Sequence, residues 1–313
     1  MEVILQVQNL DKRIRRHQIL KQLSFNVARQ EIVGFLGPNG AGKSTTLKCI
    51  CGLYHLSGGQ VTIDGHDIQR QRKAALQQLG VTIEAPALYP QLSGQDHLKM
   101  VAHWRGVSAQ RQAEMAAYSG LGNALHKKVQ TYSTGMRMRL MLAMTLMARP
   151  QLIILDEPTS GLDPQAIFEL RQQIQAIRAA GSAVLFSSHQ LDEVSKIADR
   201  IVLLNKGELI YDGKIPDALG AGATYTHYTN NNEAALAYIA ASGLALEAKS
   251  APDSAQGIKL ALSAQAVLDH TLDQLLKDLS ARQICIVDLV KQQSTLEDFY
   301  RFIYQKTSKE VSS

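Results

Sequence analysis

Polar and apolar residues alternate over Leu23–Val27, and Val3–Val7, apolar but for Gln6, is read with it as a strand with one buried face. Glu31–Leu36 is a short apolar run that stops at a glycine-rich turn. Leu152–Leu155 and Ala183–Phe186 are apolar throughout and Val81–Ile83 is apolar but for Thr82, as expected of central strands covered on both faces. Helical spacings fall between these runs, at Gln95–Trp104, Gln110–Tyr118, Gly135–Met147 and Gln165–Ala180. Strands separated by helices predict an α/β unit on a largely parallel sheet.

The pattern then changes. Gly220–Ala223 is glycine and alanine only and reads as a linker. Beyond it the spacing predicts strand Thr224–Thr229, helix Glu233–Ser242 and strands Leu244–Ala248 and Ile258–Leu262. Helix Ala266–Ala281, strand Ile284–Val290 and a last helix Leu296–Gln305 follow, with polar Ser250–Gly257 as an exposed turn. That order, β-α-β-β-α-β, is the split ferredoxin-like arrangement. The sequence is therefore read as two domains, α/β over residues 1–219 and small α+β over 220–313.

The chain has 313 residues, 45% hydrophobic and 19% charged, a balance that builds a core and excludes wholesale disorder. Its most apolar helical stretch, Leu140–Ala148, is far shorter than the roughly 18 residues a membrane span needs. No basic region followed by an apolar core opens the chain, so no secretory signal is expected. Cys49, Cys51 and Cys285 lack metal-ligand spacing and read as reduced thiols of a cytosolic protein. A net charge of +5 permits an anionic partner without requiring one. Met136, Met138, Met141, Met144 and Met147 cluster on one helix, where Leu140, Met144 and Met147 share a face; this reads as core filling.

The chemistry begins at Gly37-Pro38-Asn39-Gly40-Ala41-Gly42-Lys43-Ser44-Thr45, which fits the pattern GxxxxGK[ST] between an apolar strand and a helix. Glycines there let backbone amides turn in on phosphate oxygens at a helix N-terminus. Lys43 is expected to reach the β- and γ-phosphates, and the Ser44 hydroxyl to ligate Mg²⁺. A glycine-rich turn before a helix can be structural only, but nine residues in this order point to phosphate binding. Leu152–Leu155 then delivers Asp156 and Glu157 to the carboxyl edge of the sheet, where open parallel sheets bind ligands. Asp156 would hold Mg²⁺ and Glu157 would orient and deprotonate the attacking water. Alone, an apolar strand ending in two carboxylates is commonplace. Its pairing with the phosphate loop makes the functional reading.

With these residues in place, the sequence resembles the ATP-binding subunits of ABC transporters. Tyr132-Ser133-Thr134-Gly135-Met136 stands where that family carries its signature, Ser160-Gly161-Leu162-Asp163 looks like its D-loop, and His189 looks like its switch histidine. The resemblance implies a P-loop NTPase fold with a helical subdomain, ATP and Mg²⁺ as ligands, and hydrolysis by Lys43, Glu157 and His189. It implies that two such domains, in a homodimer or a mixed pair, sandwich two ATP molecules. Ser133, Thr134 and Gly135 would then contact the ATP of the other subunit, and Asp163 would communicate across the pair. A separately encoded membrane permease would turn closure into transport, with this chain at the cytoplasmic face of the membrane.

Ile83-Glu84-Ala85-Pro86-Ala87-Leu88-Tyr89-Pro90 resembles the bacitracin-export and lantibiotic-immunity branch, which has glutamate where the family usually has glutamine. Glu84 becomes a third candidate for Mg²⁺ or water, on the loop that couples to the permease. The branch implies export of a peptide antibiotic, bacteriocin or other toxic compound. The ending Ser294-Thr295-Leu296-Glu297-Asp298-Phe299 is similar to that of many subunits in this branch. Ile14 stands where the family usually stacks an aromatic ring on adenine; isoleucine offers an apolar contact only, leaving recognition to it or to His17. The other reading is a soluble ABC ATPase acting on ribosomes or DNA. Such proteins usually carry two nucleotide-binding domains or long coiled-coil insertions; this chain has one phosphate loop and no heptad insertion, and nucleic acid is not expected as a partner.

Overall fold

The structure, a computed structural model, describes residues 2–83, 88–215, 222–229, 231–242, 246–250, 257–263, 271–292, 296–297, 299–300 and 303. The chain divides into two compact units, Met1–Gly213 and Lys214–Ser313.

The first unit opens with a long hairpin, β1 (Val3–Ile14) and β2 (His17–Ala28), which joins β4 (Gly58–Ile63) and β5 (His66–Asp67) in a sheet of order β2-β1-β4-β5. The hairpin outruns the expected Val3–Val7 because register shifts at Val7/Leu10 and Leu10/Lys12 break the alternation while pairing continues. Leu10 stays buried, and Arg15 turns the hairpin with φ of 54°.

A second sheet has the order β10-β9-β3-β8-β7-β6, with β3 (Ile32–Leu36), β6 (Leu79–Thr82), β7 (Leu152–Leu155), β8 (Ala183–Ser188), β9 (Arg200–Asn205) and β10 (Glu208–Lys214). Pairs β9/β3, β3/β8, β8/β7 and β7/β6 are parallel. Every residue of β3, β7 and β8 is buried, which explains why those runs carry no polar alternation. Helix α1 (Lys43–Ile50) follows β3, α2 (Arg72–Gln77) precedes β6, and α6 (Pro164–Ala179) links β7 to β8. The short α7 (Leu191–Ser195) follows β8. The core between the sheets includes Val33, Phe35, Leu47, Ile154 and Leu185, with Phe25 and Phe35 rings 5.5 Å apart. Cys49 and Cys51 also lie in this core, so burial rather than helix face sets their environment; it pushes the Cys49 thiol up to about 11.

A helical group stands apart: α3 (Gly94–Arg105), α4 (Ala109–Tyr118) and α5 (Thr134–Thr145), packed around Leu98, Met115, Leu140 and Met147. Met144 packs partly buried against this cluster, as core-filling methionines do. Ser93 and Asp96 form a capping box at the start of α3, and Gly106 ends it with φ of 63°.

The second unit contains β11 (Gly222–Thr229), α8 (Asn232–Ser242), β12 (Leu246–Ser250), β13 (Gly257–Ser263), α9 (Thr271–Ala281) and β14 (Ile286–Gln292). Its sheet order is β12-β13-β11-β14, and all neighbours are antiparallel, the ferredoxin-like topology. Ala235, Ile239, Ile258, Leu275 and Leu279 form its core. The expected linker is cut short: Gly222 and Ala223 already pair with Ser263 and Leu262 in the ladder. The expected turn interior (251–256), the first part of the expected helix Ala266–Ala281 (266–270) and half of the last helix lie outside the described residues.

Candidate functional site

Strand order creates the site. Leu36 pairs with Ser188, and Leu155 with Phe186, so the carboxyl ends of β3, β8 and β7 emerge side by side. Each continues into a loop that bears one of the motifs. Pro38, Asn39, Gly40, Gly42, Lys43, Ser44, Thr45, Glu157 and His189 line one open cleft of about 750 Å³, together with Ile19 and Ser160. That volume is in the range of small-ligand sites.

The phosphate loop is shaped by its glycines. Gly42 starts α1 at φ of 108°, and a Cβ there would lie 2.7 Å from Leu20 Cδ2; Gly37 and Ala41 are buried behind the loop. A Cβ at Gly40 would meet nothing within 4 Å. Lys43 is buried to 7% exposure and donates from Nζ to the Gly37 carbonyl at 2.6 Å. Ser44 is exposed at the N-terminus of α1, where the helix dipole favours anions.

Asp156 is buried, and its Oδ1 accepts from Ser187 Oγ at 2.5 Å. Glu157 holds a left-handed backbone with φ of 49°, an uncommon conformation for a non-glycine residue. Its Oε2 meets His189 Nδ1 at 2.6 Å, and its Oε1 lies 3.9 Å from Lys43 Nζ. His189 follows directly on β8, which runs two residues beyond the expected Phe186. The cleft offers a buried ammonium, an exposed helix N-terminus and the Glu157 carboxylate around one space, while buried Asp156 is next to Glu157 in the chain and is not among the lining residues; the set suits a polyphosphate and a divalent cation.

The signature lies outside this lining. Ser133 caps α5, its Oγ accepting from the Met136 N–H at 3.2 Å, and Asp163 caps α6, its Oδ1 accepting from the Ala166 N–H at 2.8 Å. These two helix starts adjoin, since a Cβ on Gly135 would lie 3.3 Å from Ala166 Cβ, and one on Gly161 3.9 Å from Thr134 Cγ2. Glu84 lies outside the described residues. Ile14 is exposed near the hairpin tip, with His17 opposite it, and neither is among the residues lining the cleft; the apolar contact there is Ile19. No motif marks Ile19. The hairpin register carries it to the loop, where its carbonyl packs on Gly42 and Gly207. Ser187 was also missed, although the polar pair Ser187-Ser188 ending an apolar strand is a visible signal.

A family model described as "ABC transporter" matches residues 20–160, and an AAA-domain model matches residues 128–195. The chain is 36% identical to the linearmycin resistance ATP-binding protein LnrL of Bacillus subtilis, over 68% of this chain and 70% of LnrL. It is 38% identical to the lantibiotic transport ATP-binding protein SrtF of Streptococcus pyogenes, over 67% of this chain and 92% of SrtF. A third relative, the uncharacterized ABC transporter ATP-binding protein YcbN of Bacillus subtilis, is 30% identical over 96% of both chains. Among solved structures, an ATP-binding subunit of an ABC transporter superposes with a TM-score of 0.64 and 30% identity, over 69% of this chain and 91% of that one.

Proposed function

The chain belongs to the ABC transporter family of ATP-binding, ATP-hydrolysing proteins, and we propose that it powers a separately encoded membrane permease that exports a peptide antibiotic, bacteriocin or other toxic compound. The observation that carries the catalytic reading is the single cleft in which the phosphate loop, Glu157 and His189 meet. The names of LnrL and SrtF support the cargo class.

In this reading the loop amides of Gly40, Ala41, Gly42 and Lys43 bind the phosphates, and Lys43 exchanges its Gly37 carbonyl for a phosphate oxygen. Ser44 and Asp156 fit a Mg²⁺ site: both are oxygen donors, and Asp156 has a second carboxylate oxygen beyond the one bonded to Ser187. Bound Mg²⁺ would neutralise phosphate charge. Glu157 takes the proton of the attacking water, and His189 fixes the carboxylate through their 2.6 Å contact. Ser133, Thr134 and Gly135 supply a helix N-terminus to the γ-phosphate held by a second copy, with Asp163 beside them. The permease meets the chain around residues 83–88, where Ile83 and Leu88 line another cavity with Trp104 and Met141. In this reading the chain works as a peripheral subunit at the cytoplasmic face of the membrane.

The test is affinity purification of tagged Glu157→Gln protein from native membranes in ATP, with mass spectrometry of what copurifies. A polytopic permease is the expected companion. Ribosomal or DNA-associated proteins with no permease would overturn the transport reading.

A further inference from the structure

The hydroxyl of Ser187 sits, fully buried, between the Asp156 carboxylate and the Glu157 backbone N–H at the end of β7. It accepts from the backbone N–H of Glu157 at 2.9 Å and donates to Asp156 Oδ1 at 2.5 Å. A hydroxyl can accept and donate at once, which alanine cannot do. The Asp156 backbone is held from the other side, its N–H donating to the Thr82 carbonyl on β6 at 2.8 Å. Glu157 adopts its left-handed φ of 49° at the residue whose N–H Ser187 receives. Such a conformation persists only where its surroundings hold it.

We propose that Ser187 is a positioning residue for ATP hydrolysis: it pins the Glu157 backbone so that its carboxylate stands at His189 and Lys43, and it orients Asp156. This rests on the roles given above to Asp156 and Glu157. One side chain of β8 thereby ties down the end of β7, and the groups that meet at Glu157 come from three strands. Residues 156 and 157 leave β7, His189 leaves β8 two residues after Ser187, and Lys43 follows β3 on the far side of β8. A buried serine can also do no more than satisfy neighbouring polar groups. The two roles differ in what they move: satisfaction alone changes stability, whereas positioning changes turnover and the contribution of Mg²⁺ to nucleotide affinity.

The experiment compares full-length Ser187→Ala and Ser187→Thr with the parent protein. Steady-state ATPase assays give kcat and KM, and trinitrophenyl-ATP binding is measured with Mg²⁺ and with EDTA. Ser182→Ala serves as control, because that hydroxyl donates to the Pro150 carbonyl at 2.7 Å, at the opposite end of β8. Ser187→Ala is expected to lose about 10- to 100-fold in kcat with KM changed less than about threefold, as when an interaction to a charged group in the transition state is removed. The Mg²⁺-dependent gain in nucleotide affinity shrinks in the same variant. Ser187→Thr, which keeps the hydroxyl, recovers most of kcat, and Ser182→Ala retains it. The proposal is overturned if Ser187→Ala turns over within about twofold of the parent, or if its Mg²⁺ gain is unchanged whatever its melting temperature. Should Ser187→Thr fail to fold, the Mg²⁺ gain of Ser187→Ala decides alone. A Glu157→Gln control separates the two readings. If that variant keeps full turnover, the catalytic assignment fails; if it loses turnover while Ser187→Ala does not, only the positioning role fails.

Discussion

The two units use the same kinds of elements and differ in how their strand ends are placed. In Met1–Gly213, parallel pairing of β3, β8 and β7 brings three loops distant in sequence to one edge, and the candidate site forms there. In Lys214–Ser313, every neighbouring pair is antiparallel, so adjacent strands end at opposite edges and their loops are dispersed. The lesson is that topology decides whether scattered motifs become one site.

The comparison would break first at Glu157. Replacing it by glutamine is expected to lower kcat by about 100-fold or more, the scale of a lost general base, while trinitrophenyl-ATP still binds. Unchanged turnover would remove the chemistry from the β7 edge. A complementary change falls in the second unit. Leu279→Ala empties a fully buried position and should destabilise that unit by about 2–5 kcal/mol, seen as a lower thermal or urea midpoint. Turnover of the folded protein should remain, and its loss in step with the midpoint would show that catalysis depends on the second unit.

The smallest expected effect concerns the helical group. The Ser93 hydroxyl and backbone N–H hold the Asp96 carboxyl below its ordinary value of 3.8. Because the folded-state value is depressed, the stabilisation is complete above the unfolded value and fades as pH falls through the folded one. Melting curves of the parent and Asp96→Asn should therefore differ near neutral pH and converge below about pH 4. A gap that stays constant across that range would mean that the capping box does not draw on the charge of Asp96.

Much of this architecture is legible in local sequence. Buried strands such as Leu152–Leu155 announce themselves because both faces are covered, and the order of elements in the second unit follows from their periods. The phosphate loop is equally plain, since its glycines answer a local backbone demand. What escaped depends on pairing. β1 continues past Val7 through bulges that scramble alternation, and Gly222 looks like linker until Ser263 is found opposite it. Ile19 reaches the cleft only because a hairpin register delivers it.

The sequence by itself displayed the candidate phosphate loop and the carboxylate pair, because each is a short run whose residue types carry the chemistry; His189 stood out through family resemblance alone. Tertiary structure alone decided that β8 lies between β3 and β7, that Glu157 stands 2.6 Å from His189, and that one buried hydroxyl ties Asp156 to the backbone of Glu157. Those are contacts between residues about 30 positions apart. No local pattern encodes them; the packing of a parallel sheet does.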